Sequence, residues 1–163
     1  MRQILSNDQV SRVIPAPPEV LWPLVADPRR MPELSPYLSR VEWLDGATEA
    51  AVGARFKAWN TDRGRGKWHN SPVFTVVEPH REIAWQRTER IAGTLAWRYR
   101  FSPVDGGTEV TESYEVVKPI SPVGWFVIGT LLRNTDVAGW LRTGMIETLE
   151  RMERVATAAE SVS

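Results

Sequence analysis

Three side chains able to do chemistry fall on strand faces that ought to point inward. Glu112 lies between Val110 and Tyr114, Tyr99 between Trp97 and Phe101, and Arg87 shares parity with Ile83 and Trp85. Successive side chains of a strand face opposite ways, so each of the three sits among apolar neighbours. A carboxylate buried without a partner is costly and escapes the cost by raising its pKa and taking up a proton. Glu112 therefore needs an arginine, a tyrosine hydroxyl, water or a ligand. On a cavity wall it is a polar anchor or proton-transfer group, with Tyr99 donating a hydrogen bond and Arg87 holding an oxyanion. The alternative is an internal ion pair, or Glu112 reaching solvent from a strand end. Glu112, Tyr99 and Arg87 are the candidate catalytic residues.

Eight tryptophans in 163 residues supply large rings to surround such a site. Phe56, Trp85, Trp97, Tyr99, Tyr114, Trp125, Trp140 and Met145, with Arg87 and Glu112, are the candidate ligand-binding set. They would line a pocket for a flat or lipid-like molecule; the competing reading is a filled core. Other chemistries lack their residues. There is no cysteine, which removes disulfides, thiolate metal sites and a cysteine nucleophile. His69 and His80 are the only histidines and have no carboxylate at helical spacing, so no metal and no cofactor are expected. No GxSxG occurs. "RGRGKWH" lacks the phosphate-loop spacing and reads as a hairpin loop with solvated charges. Twenty basic residues balance twenty acidic ones, so no overall field draws the chain to nucleic acid or anionic lipid.

The elements that must position these residues can be read in order. "DQVSRVI" alternates and suits an edge strand. In "IPAPPEVLWPLVADP", Pro17 and Pro18 suit a helix's first turn, Val20, Leu21, Leu24 and Val25 form one apolar face, and Pro23 limits its length. A second short helix or turn, "RRMPELSPY", follows. Then come "LSRVEWLDG", "GARFKAWN", "WHNSPVFTVVEP", "REIAWQRTE", "GTLAWRYRFSP" and "TEVTESYEVV", the last two joined at "VDGG". One apolar and one charged face mark an antiparallel, half-solvated sheet. Ser121-Pro122 caps a helix, "VGWFVIGTLLR", which is apolar nearly all round: a buried helix, a lid, or an interface for a membrane surface or partner. A single rod from there to the C-terminus would be roughly 55 Å, too long for the sheet, so a break is expected near Gly129 to Asp136. Val137, Trp140, Leu141, Met145, Leu149 and Met152 then form the stripe of a terminal helix.

A twisted sheet curls around such a helix and leaves a wedge between them, with the proline helix closing one end. In this order and spacing, "IPAPPEVLWPLVADP", "VGARF", "VVEPHREIAW", "WRYRFSPVDGGTEVTESYEV" and "GMIETLERMERVA" resemble the START/Bet v 1-like (SRPBCC) superfamily, specifically its polyketide cyclase/dehydrase-like proteins. The resemblance runs from about Val10 to Ala156. It implies one α+β domain over 1–163 with a helix-grip fold: a curved antiparallel sheet of six to seven strands wrapped around a long C-terminal helix, with two short helices after the first strand. It also implies a cavity for a hydrophobic small molecule, lipid-like or polyketide-like. Because the fold hosts several functions, an aromatase/cyclase or dehydratase and a lipid-surface or protein interaction module stay open beside a binding protein. "MRQILSNDQV" has no apolar core of signal-peptide length and no run is long enough to span a bilayer, so a cytoplasmic monomer or homodimer without stable membrane insertion is expected.

Overall fold

A computed structural model describes residues 4–62 and 66–160. Its longest hairpin is formed by β7 (Gly93–Val104) and β8 (Gly107–Lys118), whose alternation was the clearest in the sequence. They turn at Asp105-Gly106, where Gly106 takes φ 86°, a left-handed conformation that costs glycine nothing. β1 (Asp8–Ile14) pairs antiparallel with β8 and is the edge strand its pattern suggested. On the other side β7 pairs with β6 (Glu82–Glu89) and β6 with β5 (Val73–Glu78), giving a five-stranded sheet in the order β1-β8-β7-β6-β5.

A three-stranded sheet continues the surface: β2 (Leu38–Trp43), β3 (Phe56–Thr61) and β4 (Lys67–Asn70). The two sheets are stitched by an antiparallel bridge between Arg55 and Val73. Phe74 N–H donates to the Ala54 carbonyl at 2.9 Å and Gly53 N–H to that of Phe74 at 2.9 Å. Among the described residues the strands thus number eight, against the six to seven expected. The segment "WHNSPVFTVVEP", which reads as one strand, is two, parted at Ser71-Pro72, because proline cannot donate to a ladder.

Helix α1 (Pro18–Ala26) begins as its prolines dictate, with Pro17 as N-cap and Pro18 in the first turn. It buries Leu21, Trp22, Leu24 and Val25, and the Trp22 ring meets Phe101 edge-on at 6.0 Å. Pro23 removes one internal hydrogen bond without ending the helix. α1 packs on β7 and on the terminal helix, and so closes one end of the curved sheet. A 3-10 turn (Pro28–Arg30) and the single turn α2 (Met31–Leu34) lead into β2.

Helix α3 (Pro122–Thr130) is capped by Ser121, whose Oγ accepts from Gly124 N–H at 3.0 Å and donates to the Ile91 carbonyl at 2.9 Å. The expected break follows. Asp136 then starts α4 (Val137–Glu160) by accepting from Gly139 N–H at 2.9 Å. At 1.5 Å per residue α4 is about 36 Å long, enough to cross the sheet. Its stripe of Leu141, Met145, Leu149, Met152 and Ala156 is buried. Leu149 and Met152 pack with Ile14, Leu21, Val25, Ile83 and Val110 under α1, while Leu141 and Met145 pack with Leu5, Leu95 and Tyr114 toward α3. No helix among the described residues is long and apolar enough to cross a membrane.

Candidate functional site

Between these two packed regions the sheet and α4 do not meet fully, and a cavity of about 130 Å³ remains. One wall is the inward face of β6, β7 and β8: Trp85, Arg87, Trp97, Tyr99 and Glu112. Opposite stand Trp140, Leu141, Gly144, Met145 and Thr148 of α4. Phe56 and Ala58 of β3, Trp68 and Asn70 of β4, and Tyr37 after α2 complete the enclosure. The rings brace one another: Trp85 stacks on Tyr99 at 5.6 Å, and Phe56 meets Trp85 edge-on at 5.9 Å.

The β7–β8 register places Tyr99 directly opposite Glu112. Tyr99 Oη donates to Glu112 Oε1 at 2.7 Å, the bond anticipated from parity. Tyr99 is 1% exposed and Glu112 4%. Glu112 Oε2 has no hydrogen-bond partner among the described residues. Burial pushes the Glu112 pKa up to about 8, against the pull of the Tyr99 hydrogen bond. Tyr99 is itself raised, first by burial and then by the carboxylate beside it. At neutral pH Glu112 is therefore a neutral acid. With Oε1 accepting from tyrosine, its proton belongs on Oε2, which becomes a donor without an acceptor.

Arg87 stands elsewhere on the same face. It is opposite Leu95, whereas Tyr99 is opposite Ile83. Four residues of β6 separate the two rows, about 13 Å at 3.3–3.4 Å per residue. Arg87 pairs with Glu89, Nη1 to Oε1 at 3.2 Å, and Asn70 Nδ2 donates to the same oxygen at 3.0 Å. Burial lowers the Arg87 pKa and the Glu89 charge partly restores it. Nη1 is buried and makes no well-aligned hydrogen bond. An arginine–Glu112 ion pair, one of the readings of the sequence, is thus not formed. Parity assigns a residue to a face but not to a row.

At the rim, Tyr37 stacks on Trp140 with ring centroids 4.0 Å apart and 17° between planes. Tyr37 Oη donates to the Trp140 carbonyl at 3.0 Å, and Trp140 Nε1 donates to Asp62 Oδ1 at 3.0 Å. Trp68 lies 6.1 Å from Trp140. Gly144 permits this, since a Cβ there would run into the Tyr37 ring. The hydrogen bonds latch α4 to the segment before β2 and to the end of β3.

Of the candidate residues, Phe56, Trp85, Arg87, Trp97, Tyr99, Glu112, Trp140 and Met145 line the cavity. Tyr114 and Trp125 do not. Tyr114 follows Glu112 on the same face but packs under Trp97, ring centroids 5.3 Å apart, in the cluster with Leu95 and Met145. Trp125 lies on α3 against that cluster and borders an outer groove. Sequence reading missed Tyr37, Trp68, Asn70 and Gly144 as a group. Tyr37 ends a stretch that reads as a turn, and Asn70 precedes the unrecognised break between β4 and β5. His69 and His80 are exposed, and no group of three metal-ligating side chains occurs among the described residues.

An α+β chain whose curved antiparallel strands hold a long terminal helix, with a cavity between them, has the helix-grip fold. The profile of the family described as "Polyketide cyclase / dehydrase and lipid transport" matches residues 9–157, and the chain belongs to that family, within the SRPBCC group. The Polyketide_cyc-like protein Cgl2372 from Corynebacterium glutamicum is similar at 27% identity and TM-score 0.59, over 98% of this chain and 95% of that one. The di-domain ARO/CYC StfQ of the steffimycin biosynthetic pathway has TM-score 0.75 at 12% identity, over 97% of this chain and 52% of that one. Ara h 8.0201 has TM-score 0.69 at 13% identity, over 96% and 99%. At such identities the last two establish the fold alone. A comparison with curated proteins gives no match.

Proposed function

We propose that the protein binds an uncharged hydrophobic small molecule bearing an acceptor oxygen, held between the sheet and α4 with that oxygen on Glu112. The observation that carries this is the unpartnered Oε2 of a buried, neutral carboxyl on an aromatic cavity wall. A neutral acid asks for no counter-charge, and Arg87 is already balanced by Glu89, so a charged ligand would bury an uncompensated ion. An apolar cavity of about this size takes a single aromatic ring. Larger ligands need the Tyr37–Trp140 latch to open.

Displacement of the neutral dye N-phenyl-1-naphthylamine tests this, with 2-acetylnaphthalene and 2-naphthoate as competitors of equal skeleton. The ketone should compete about tenfold better than the carboxylate, and Glu112→Met should remove most of that preference. Because the dye exceeds one ring, thermal stabilisation by acetophenone and by benzoate is measured beside it; binding of neither dye nor acetophenone, or a carboxylate that wins, defeats the reading. A neutral acid against a ligand carbonyl also suits enolisation, Glu112 Oε2 giving its proton to the carbonyl oxygen while water takes one from the α-carbon, a second reading that this pKa favours. Turnover of a polyketide-like substrate falling about 100-fold in Glu112→Gln, with binding retained, would mark it.

A further inference from the structure

Helix α3 and Leu131, which caps its C-terminus, leave to solvent large apolar side chains for which the cavity has no use. Val123, Phe126 and Leu131 are 61%, 68% and 71% exposed. Trp125 and Ile128 turn inward onto the cluster around Leu95 and Tyr114. The helix sequence, PVGWFVIGT, has one polar side chain, Thr130, so neither face is suited to water. Ile91, 37% exposed, extends the patch, because Ser121 at the α3 cap is hydrogen-bonded to its carbonyl. Large apolar side chains exposed in such number on one short segment mark a place where something docks.

The charges around it say what. Arg90 precedes Ile91, Lys118 ends β8 just before the cap, and Arg133 follows the helix; all three are exposed, and none forms an ion pair with a described residue. The only acidic residue from 117 to 136 is Asp136, which is engaged at the start of α4. The patch is therefore apolar at its centre and cationic at its rim. A second copy meeting this face about a two-fold axis would set the rim cations against their own equivalents. An anionic lipid surface complements both parts at once.

We infer that this face docks on an anionic membrane surface, with α3 lying in the headgroup layer. The arrangement also brings the cavity rim to the lipid. Leu132, directly after α3, lies so close to Gly66 that a Cβ on that glycine would strike it, and Gly66 leads into Trp68 and Asn70. Trp140 stands one turn into the helix that follows. A molecule leaving the bilayer would meet the Tyr37–Trp140 latch first. The inference rests on the outer surface and not on the identity of the cavity's ligand.

Flotation of the full chain with phosphatidylcholine vesicles, and with vesicles of mixed phosphatidylcholine and phosphatidylglycerol, tests it. The protein should float with the anionic vesicles, and added salt should weaken that binding. Val123→Asp with Phe126→Asp should lower binding about tenfold or more, and Lys118→Glu with Arg133→Glu should lower it as well. These side chains are exposed, so the variants should keep the parent's circular dichroism and its uptake of the naphthylamine dye, which separates this test from that of the cavity. Failure of the parent to bind anionic vesicles, or equal binding by the aspartate variant, overturns the inference. So does a parent dimer in light scattering that the aspartate variant dissolves, since the face would then belong to a second copy.

Discussion

Glu112 is carried at a cost, and the cost has a pH signature. Its ordinary pKa is 4.5, and burial raises the folded value to about 8. Between those values the unfolded chain has released the proton and the folded one still holds it, so folding stability falls as pH rises through this window. Below the ordinary value both states are protonated and the penalty vanishes; above about 8 it is complete. At ~1.4 kcal/mol per unit the total is about 5 kcal/mol, a large part of a typical domain's stability. Glutamine keeps an acceptor for Tyr99 and a donor for the cavity but does not titrate. Thermal unfolding of the parent should decline from about pH 5 to pH 8 relative to Glu112→Gln, the two curves meeting at the acid end. Parallel curves would mean that the carboxyl is not buried as a neutral acid. A residue this expensive, paired to a phenol and with one oxygen unpartnered among the described residues, costs the fold stability that glutamine would not.

At the scale of elements, Gly144 decides how the cavity is latched. With no Cβ there, Tyr37 approaches α4 closely enough to stack on Trp140 and reach its carbonyl. Alanine is the better helix former by up to ~1 kcal/mol. Gly144→Ala should nonetheless lower the melting temperature, because its methyl displaces the Tyr37 ring and costs the stack and a hydrogen bond. The bound dye should also leave several-fold faster in stopped-flow, and an unchanged off-rate would show that the latch does not gate the cavity. None of this latch was legible in the sequence, since it joins residues 37, 62 and 140, and local patterns carry no information about such pairs. What is local was legible. Alternation gave the inward faces of β6, β7 and β8, the three- and four-residue spacing gave the buried stripe of α4, and Ser121-Pro122 gave the α3 cap. The Tyr99–Glu112 pair was readable because a short turn fixes the β7–β8 register. Arg87 shares their face but lies four residues along β6 from Ile83, the partner of Tyr99, and so falls in another row near the β6–β7 turn.

At the scale of the whole molecule, the helix-grip architecture follows from one-sided strands and a one-sided terminal helix. How much of the interior is left empty does not, because that depends on ring orientations set by tertiary packing. Trp85, Trp97 and Phe56 fill much of the space, and about 130 Å³ remains beside Glu112. Fold, proton and ligand are then linked. A ligand bound to the folded protein stabilises it by RT ln(1 + [L]/Kd), about 2.7 kcal/mol at a hundred times Kd. For a chain of this size that raises the melting temperature by about 5–10 °C. If the ligand oxygen accepts from Glu112 Oε2, only the protonated protein binds it. The apparent Kd should then be flat below about pH 8, the folded pKa of Glu112, and weaken about tenfold for each unit above it. The ketone-induced rise in melting temperature should shrink over the same range in the parent, and should persist in Glu112→Gln, whose amide donates at every pH. A pH-independent shift in the parent would mean that the ligand oxygen does not rest on this carboxyl, whatever else the cavity holds.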